Sequence, residues 1–534
     1  MKTVMICVAL LLAQLNIFAQ SNNNPLPNVI NKNGRHQLLV DGKPFLILGG
    51  QAHNSSAWPG MLPNVWAAIK QLHANTLEIP VYWEQIEAQQ GKFDFSVVDT
   101  LLTQARARHV RLVLLWFATW KNGSNHYMPQ WMKLEAGKYP NIQNRDGKQI
   151  DSPSPHIEAT LNADINAFTK LMAYLKKADP QRTVIMVQVE NEPGSWDTVR
   201  DYSPIAQKLF EGQVPPELLK PELLKAMNVN VVTNGSWQTV FGDRADEYFQ
   251  AWSIARFIGK VAAAGKAVYP LPMYVNAALR DPLTNPKASS YESGGPTDNV
   301  IPIWKVAAPA IDLLAPDIYL SGSEKVLKVL DLYDRPDNAL FVPEAGFNKE
   351  NAKYLYNVIA RGGIGFSPFG IDRNAEDPES AENKDRYVPY ATSYALIKTM
   401  MPQLAQWGFE GKIKAVVEHE DQADQTVDLG QWKVTVIFGS GRGGSTKNTA
   451  PNGKAMIVKL SENKFVLIGT NCHIAFAPAG KQANQAWQYL KVEEGRYQNG
   501  IFKPLRILNG DETDWKGPNF GELPTVLQCT VITR

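Results

Sequence analysis

Short apolar runs alternate with longer amphipathic stretches between about residues 36 and 370. The runs fall at 45–48, 76–79, 112–116, 184–187, 273–275, 311–314, 340–342 and 364–366. Continuous apolar runs of this length suit strands covered on both faces, as in a parallel sheet. Stretches at 64–72, 95–108, 165–177, 248–264 and 352–360 carry a helical period between them. Eight strand candidates with intervening helices predict an α/β fold, a (β/α)8 TIM barrel with insertions. An open doubly wound sheet is the alternative, but no glycine-rich phosphate turn follows the first run. Past about Tyr390 the pattern changes. After one helix at 391–400, short segments at 412–418, 431–438, 455–459, 464–467 and 487–490 are separated by turns rich in Gly, Asn and Asp. That pattern predicts a smaller C-terminal β-sandwich. The domains therefore read as a barrel at 36–385 and a β-rich unit at 390–534.

A length of 534 residues accommodates this layout. Charge narrows the partners. With 54 basic and 52 acidic residues, a net charge of +2 and no long like-charged block, the chain lacks the basic patch that nucleic acid requires. Tryptophan and tyrosine are plentiful, and although most belong in a large core, such rings also suit the apolar faces of pyranoses. At the N-terminus, Met1-Lys2 precedes a largely apolar stretch from Val4 to Phe18, then Ala19-Gln20 and a polar Ser-Asn run. Residues 1–20 thus predict a secretory signal peptide, and a secreted or periplasmic location. A retained anchor is the rival reading; the segment is short for a transmembrane span, and no later stretch reaches that length. Cys7 lies inside the apolar region, leaving Cys472 and Cys529, which fit either one disulfide or two buried thiols. No Cys/His ligand spacing is present, so neither a metal nor a cofactor is expected.

The sharpest chemical feature is Gln188-Val189-Glu190-Asn191-Glu192-Pro193-Gly194, directly after the fourth run. Its polar residues fall at a strand's C-terminal end, where TIM barrels carry their active sites. Left merely buried, they would be costly. Val342-Pro343-Glu344-Ala345-Gly346 places another carboxylate just past the seventh run. Far apart in the chain, Glu192 and Glu344 would face one barrel rim. Retaining glycosidases need two carboxyl groups about 5–5.5 Å apart, one as nucleophile and one as acid/base. Taken singly, either glutamate could instead be an ion-pair partner.

An Asn-Glu pair ending strand four and a Glu ending strand seven resemble the retaining glycoside hydrolases of clan A. More specifically, Gly49-Gly50-Gln51-Ala52-His53, Trp66, Lys70-Gln71-Leu72, Asn75-Thr76, Trp83 and Gly91-Lys92-Phe93-Asp94-Phe95-Ser96 resemble glycoside hydrolase family 35, mainly exo-acting β-galactosidases. The C-terminal region resembles the small β-domain of a compact bacterial branch of that family. Departures exist. Pro80 stands where many members have a galactose-contacting tyrosine, Trp116-Phe117-Ala118-Thr119-Trp120 replaces their Arg-Pro-Gly-Pro-Tyr, and Pro193 replaces a tyrosine. The segment from Gly91 to Phe95 also resembles family 42 galactosidases.

The resemblance implies a retaining exo-β-galactosidase acting on plant cell-wall oligo- or polysaccharides, with xyloglucan side chains as one substrate. It implies Glu344 as nucleophile, ionised, and Glu192 as acid/base with a raised pKa. Asn191 would hydrogen-bond the sugar 2-hydroxyl. Tyr319, at the end of strand six, would hydrogen-bond Glu344. Asn276, ending strand five, would line the pocket; Glu84 would accept from sugar hydroxyls and Trp116 would stack on a ring. Gln51, His53 and Phe366 are further rim candidates, and Glu190 is expected to be structural. The rivals are another clan A enzyme (a glucosidase, mannosidase or arabinosidase), a catalytically inactive carbohydrate-binding barrel, and a metal-dependent hydrolase, for which the strand ends offer few histidines.

Overall fold

The computed structural model describes residues 24–373, 380–498 and 500–534. The expected signal peptide at residues 1–20 lies outside the described residues. Eight parallel strands close into a barrel: β1 (Ile47–Gln51), β2 (Thr76–Tyr82), β3 (Arg111–Lys121), β4 (Val184–Asn191), β5 (Met273–Ala278), β6 (Leu313–Ile318), β7 (Phe341–Ala345) and β8 (Gly365–Pro368). Each follows its neighbour in chain order, and β8 returns to pair with β1 through Gly365 with Ile47 and Phe366 with Leu48. The runs read as apolar are strands because both faces are covered, the inner by the barrel interior and the outer by helices. Nearly every strand residue is buried. The closing seam is tight. A Cβ on Gly49 would lie 2.0 Å from Ser367 Oγ, and one on Gly365 would lie 2.4 Å from Ile47 Cβ.

Helices Leu62–Gln71, Ser96–Ala107, Glu158–Ala178 and Ala245–Val268 occupy the expected stretches. Two differences matter. β3 is 11 residues long and continues past Trp116 to Lys121, because Phe117, Ala118 and Trp120 keep the run apolar and buried. The helix expected at 391–400 begins ten residues earlier, as Ala381–Thr399 with Pro389 inside it; its first half is polar and carries a proline that breaks the sequence signal.

Past the barrel, a six-stranded and a four-stranded antiparallel sheet face each other, as the turn-rich pattern predicts. Strands Gln425–Asp428, Cys472–Pro478, Ile501–Ile507 and Thr525–Thr533 were not legible in that pattern. Along Lys464–Thr470, alternate residues divide between two cores. Phe465 and Leu467 point into the sandwich with Trp432 and Phe476, while Val466 and Ile468 join the barrel core. The C-terminal unit is therefore docked by an apolar face. Cys472 and Cys529 are both buried free thiols. Among the described residues, no helix is long and apolar enough to cross a membrane.

Candidate active site

At the C-terminal end of β4 the backbone leaves the strand abruptly. Glu190 has φ +64° and Glu192 φ +40°, left-handed values that non-glycine residues adopt rarely and at some cost. The alternation that would put 190 and 192 on one face is broken. Glu190 turns away from the rim, where its Oε2 accepts from the Trp120 amide at 2.7 Å. It is structural, as expected. Glu192 turns toward the rim and is held on two sides. Its amide donates to Asn276 Oδ1 at 2.9 Å, and its Oε2 accepts from Asn122 Nδ2 at 2.6 Å. Gly123 N further donates to the Glu192 carbonyl at 3.0 Å.

Glu344 leaves β7 in register with Asp317 of β6. The Tyr319 hydroxyl donates to Glu344 Oε1 at 2.5 Å, the contact the sequence predicted, and Gln51 donates from β1. Although Tyr319 is 52% exposed, its hydroxyl end is turned inward. Carboxylate oxygens of Glu192, Asp317 and Glu344 lie within 4.8 Å of one another. Glu192 and Glu344 are 7% and 6% exposed, so the pair opens slightly to the rim. Two carboxyl groups this near one another at a barrel rim can both reach one glycosidic bond.

Crowding acids in a buried site disfavours their ionisation. Burial first, then Glu192, pushes Glu344 up to about 7, against the downward pull of Lys121, Tyr319 and Gln51. Asp317 is raised well above its usual value by burial and then by Glu344 and Glu192, with Oδ2 accepting from Asn276 Nδ2 at 2.6 Å. Deeper in the barrel, burial lifts Glu78 to about 8 while Ser367 and Tyr274 donate to it. Negative charge is thus kept scarce around the pair.

Two candidates occupy other roles than expected. Trp116 cannot stack on a sugar. It is fully buried, its Nε1 donates to Asp164 Oδ1 at 3.0 Å, and its ring packs between Trp83 and Phe168. The reason is the length of β3, whose rim end is Lys121, five residues further on. Asn276 does not line the pocket either, because it spends both amide atoms on Glu192 N and Asp317. Asn191 is fully buried with neither amide atom hydrogen-bonded, a donor and an acceptor left beside Glu192. Glu84 stays half-buried where β2 ends, its amide donating to the Tyr127 carbonyl. Of the rim candidates, Gln51 reaches Glu344 and His53 packs against Phe369, but Phe366 is buried against Tyr390.

Several residues of the site escaped the sequence reading. Lys121 ends β3 and Asn122 follows it, beyond the point where the apolar run seemed to stop. Asp317 lies just past the sixth apolar run, as Glu192 and Glu344 lie just past theirs, and the same strand-end logic applies to it. Glu292 comes from the loop after β5. It is 2% exposed, neither oxygen is hydrogen-bonded, and burial followed by Glu192 raises it strongly. Only close glycines admit it: Cβ atoms on Gly123 and Gly194 would lie 2.3 and 2.4 Å from its side chain.

The oxygens of Glu192, Asp317 and Glu344 are also the set a hard divalent cation would use. Tyr319, Asn122 and Asn276 each donate to one oxygen of that set. Those donors would compete with a cation for the same three carboxylates.

Residues 58–251 match a glycoside hydrolase family 42 model described as Beta-galactosidase. Residues 390–517 match a family described as a domain of unknown function, DUF5597. The chain is 29% identical over 162 residues to Beta-galactosidase 11 of Arabidopsis thaliana, covering 29% of this chain and 18% of that protein. It is 29% identical over 164 residues to a Beta-galactosidase of Xanthomonas manihotis, covering 30% and 26%. The match therefore spans about a quarter or less of these relatives' length. A solved β-galactosidase from Bacillus circulans sp. alkalophilus superposes with a TM-score of 0.48 at 10% identity, covering 91% of this chain and 99% of that one. The family 42 match contains Glu192 and stops short of Glu344.

Two predictions come from this geometry. Tyr319→Phe removes one donor to a charged oxygen, worth about 1.5–3 kcal/mol. Steady-state kinetics should show kcat/KM falling roughly ten- to hundredfold with the fold intact. The second concerns stability. A folded-state pKa near 7 against 4.5 for the unfolded group means that the unfolded chain sheds this proton first as pH rises. Stability should fall between those values, by on the order of 3 kcal/mol from this group, then level off. Glu344→Gln should therefore gain on wild type as pH rises from 4.5 to 8 in chemical denaturation. An equal difference at both pH values would contradict the shift.

Proposed function

We propose that the chain is a retaining, exo-acting glycoside hydrolase, a β-galactosidase of the family 35 kind, that removes terminal β-D-galactosyl residues by double displacement. The observation that carries this reading is the meeting of Glu192 and Glu344, with carboxylate oxygens within 4.8 Å at one barrel rim. The partial sequence likeness to β-galactosidases over the first half of the barrel supports the choice of sugar.

In the first step a Glu344 oxygen bonds to the anomeric carbon as the glycosidic bond breaks, and Glu192 gives its proton to the leaving oxygen. In the second, water attacks the same carbon, Glu192 takes the water's proton, and the bond to Glu344 breaks. For this cycle Glu344 must carry the charge and Glu192 the proton. Tyr319 and Gln51 donate to Glu344 and Lys121 adds a cation nearby, and all three favour its charged form. Asn276 fixes the Glu192 backbone, and Asn122 orients its carboxyl. Asn191 offers its unused amide to the 2-hydroxyl, a contact that strengthens as the oxocarbenium ion forms.

Plant cell-wall oligo- or polysaccharides, including galactosylated xyloglucan, are the natural substrates we propose. Export to the periplasm or medium belongs to the same proposal, supported by the charged start and apolar stretch of the N-terminal segment.

The test is a screen of aryl β-glycosides with product stereochemistry followed by NMR. Galactoside cleavage should dominate, and the β-anomer of the sugar should appear first. Glu192→Ala should lose several orders of magnitude on poor leaving groups and far less on activated ones, with azide restoring the second step. First appearance of the α-anomer would overturn double displacement. Near-normal turnover in that variant would show that another group serves as the acid.

A further inference from the structure

Beside Glu192 lies a second cleft that the two-carboxylate chemistry does not use. Its floor is Gly123 and Ser152, and its volume is about 320 Å³, at the small end for a ligand site. One wall is the inserted hairpin of strands Asn141–Gln143 and Gln149–Pro153; the other is Trp196 with Asp197. The cleft is tied to the acid/base residue by backbone. Gly123 donates to the Glu192 carbonyl, and a Cβ on Gly123 would lie 3.2 Å from the Trp196 indole. Ser152 Oγ donates to the Gly194 carbonyl at 3.0 Å, which fixes the floor to the Glu192 loop.

Two features of the lining set its chemistry. Trp196 is 48% exposed, so a broad apolar ring is left facing water. Around it Lys148, Gln149, Asp151 and Asp197 are exposed and make no side-chain hydrogen bond or ion pair among the described residues. A stacking face ringed by donors and acceptors matches a pyranose, whose C–H face is apolar and whose edge is hydroxyls. Two carboxylates against one ammonium leave the ring slightly acidic, which disfavours an anionic ligand. Position supplies the rest. Glu192 delivers its proton to the leaving oxygen, so the leaving group lies on the Glu192 side, and Tyr319, Gln51 and Phe369 bound the Glu344 side.

We propose that the Trp196 cleft is the leaving-group subsite and that it selects a neutral sugar there. The natural substrate is then a galactosyl saccharide rather than a galactoside of a simple alcohol. This inference rests on the glycosidase reading above.

The experiment compares wild type with Trp196→Ala and Gln149→Ala on two kinds of substrate. β-Galactosyl fluoride has a leaving group that fills no subsite. A set of 1→2, 1→3, 1→4 and 1→6 linked β-galactosyl disaccharides supplies a sugar leaving group, and the best of them is used. Trp196→Ala should lower kcat/KM on the disaccharide at least tenfold and change that on the fluoride less than twofold. Gln149→Ala should show the same selectivity to a smaller extent. Both positions are exposed, so thermal unfolding should match wild type. Equal losses on both substrates, or no loss on either, would overturn the subsite. If wild type cleaved the fluoride but none of the disaccharides, the subsite alone would fail. Cleavage of neither would overturn the glycosidase reading and the subsite with it.

Discussion

The site depends on holding several acids closer together than they would choose. Glu192, Glu344 and Asp317 converge within a few ångströms in a buried rim, with Glu78 beneath and Glu292 to one side. Left alone, such a cluster would take up protons until little charge remained. Tyr319, Gln51, Asn122 and Asn276 each donate to one of the three, and Lys121 adds a positive charge. Each contact favours the charged form of the carboxylate it meets. The barrel supplies the rigidity: each donor stands on or just past a different barrel strand, so none can relax without disturbing the closed sheet.

Much of this is legible in the sequence. Parallel strands buried on both faces announce themselves as unbroken apolar runs, and all eight were found. A carboxylate immediately after such a run has few reasons to be there, which singled out Glu192 and Glu344. The Tyr319 contact was legible for the same reason, two residues past Asp317.

The misreadings share a cause. Sequence pattern marks where a strand begins better than where it ends. Trp116 looked like a rim residue because polar Thr119 and Lys121 blur the end of β3, yet the strand continues and carries Trp116 inside. Asn276 was placed correctly in the chain, but whether an amide faces a ligand or a neighbouring strand depends on the partner across the barrel. Glu292 had no signal at all. It comes from a long insertion, and only the close packing of Gly123 and Gly194 admits it. In the C-terminal sandwich the edge strand Ile501–Ile507 is mostly exposed, so it lacked the alternation that marks half-buried strands.

The central proposal is that Glu344 bonds to the sugar. Incubation with 2-deoxy-2-fluoro-β-galactosyl fluoride slows both steps but the second more, so the covalent intermediate should accumulate. Intact mass should rise by one fluorosugar per chain, and peptide mapping should place it on Glu344. Modification of a different residue, or none in protein that turns over galactosides, would contradict the assignment.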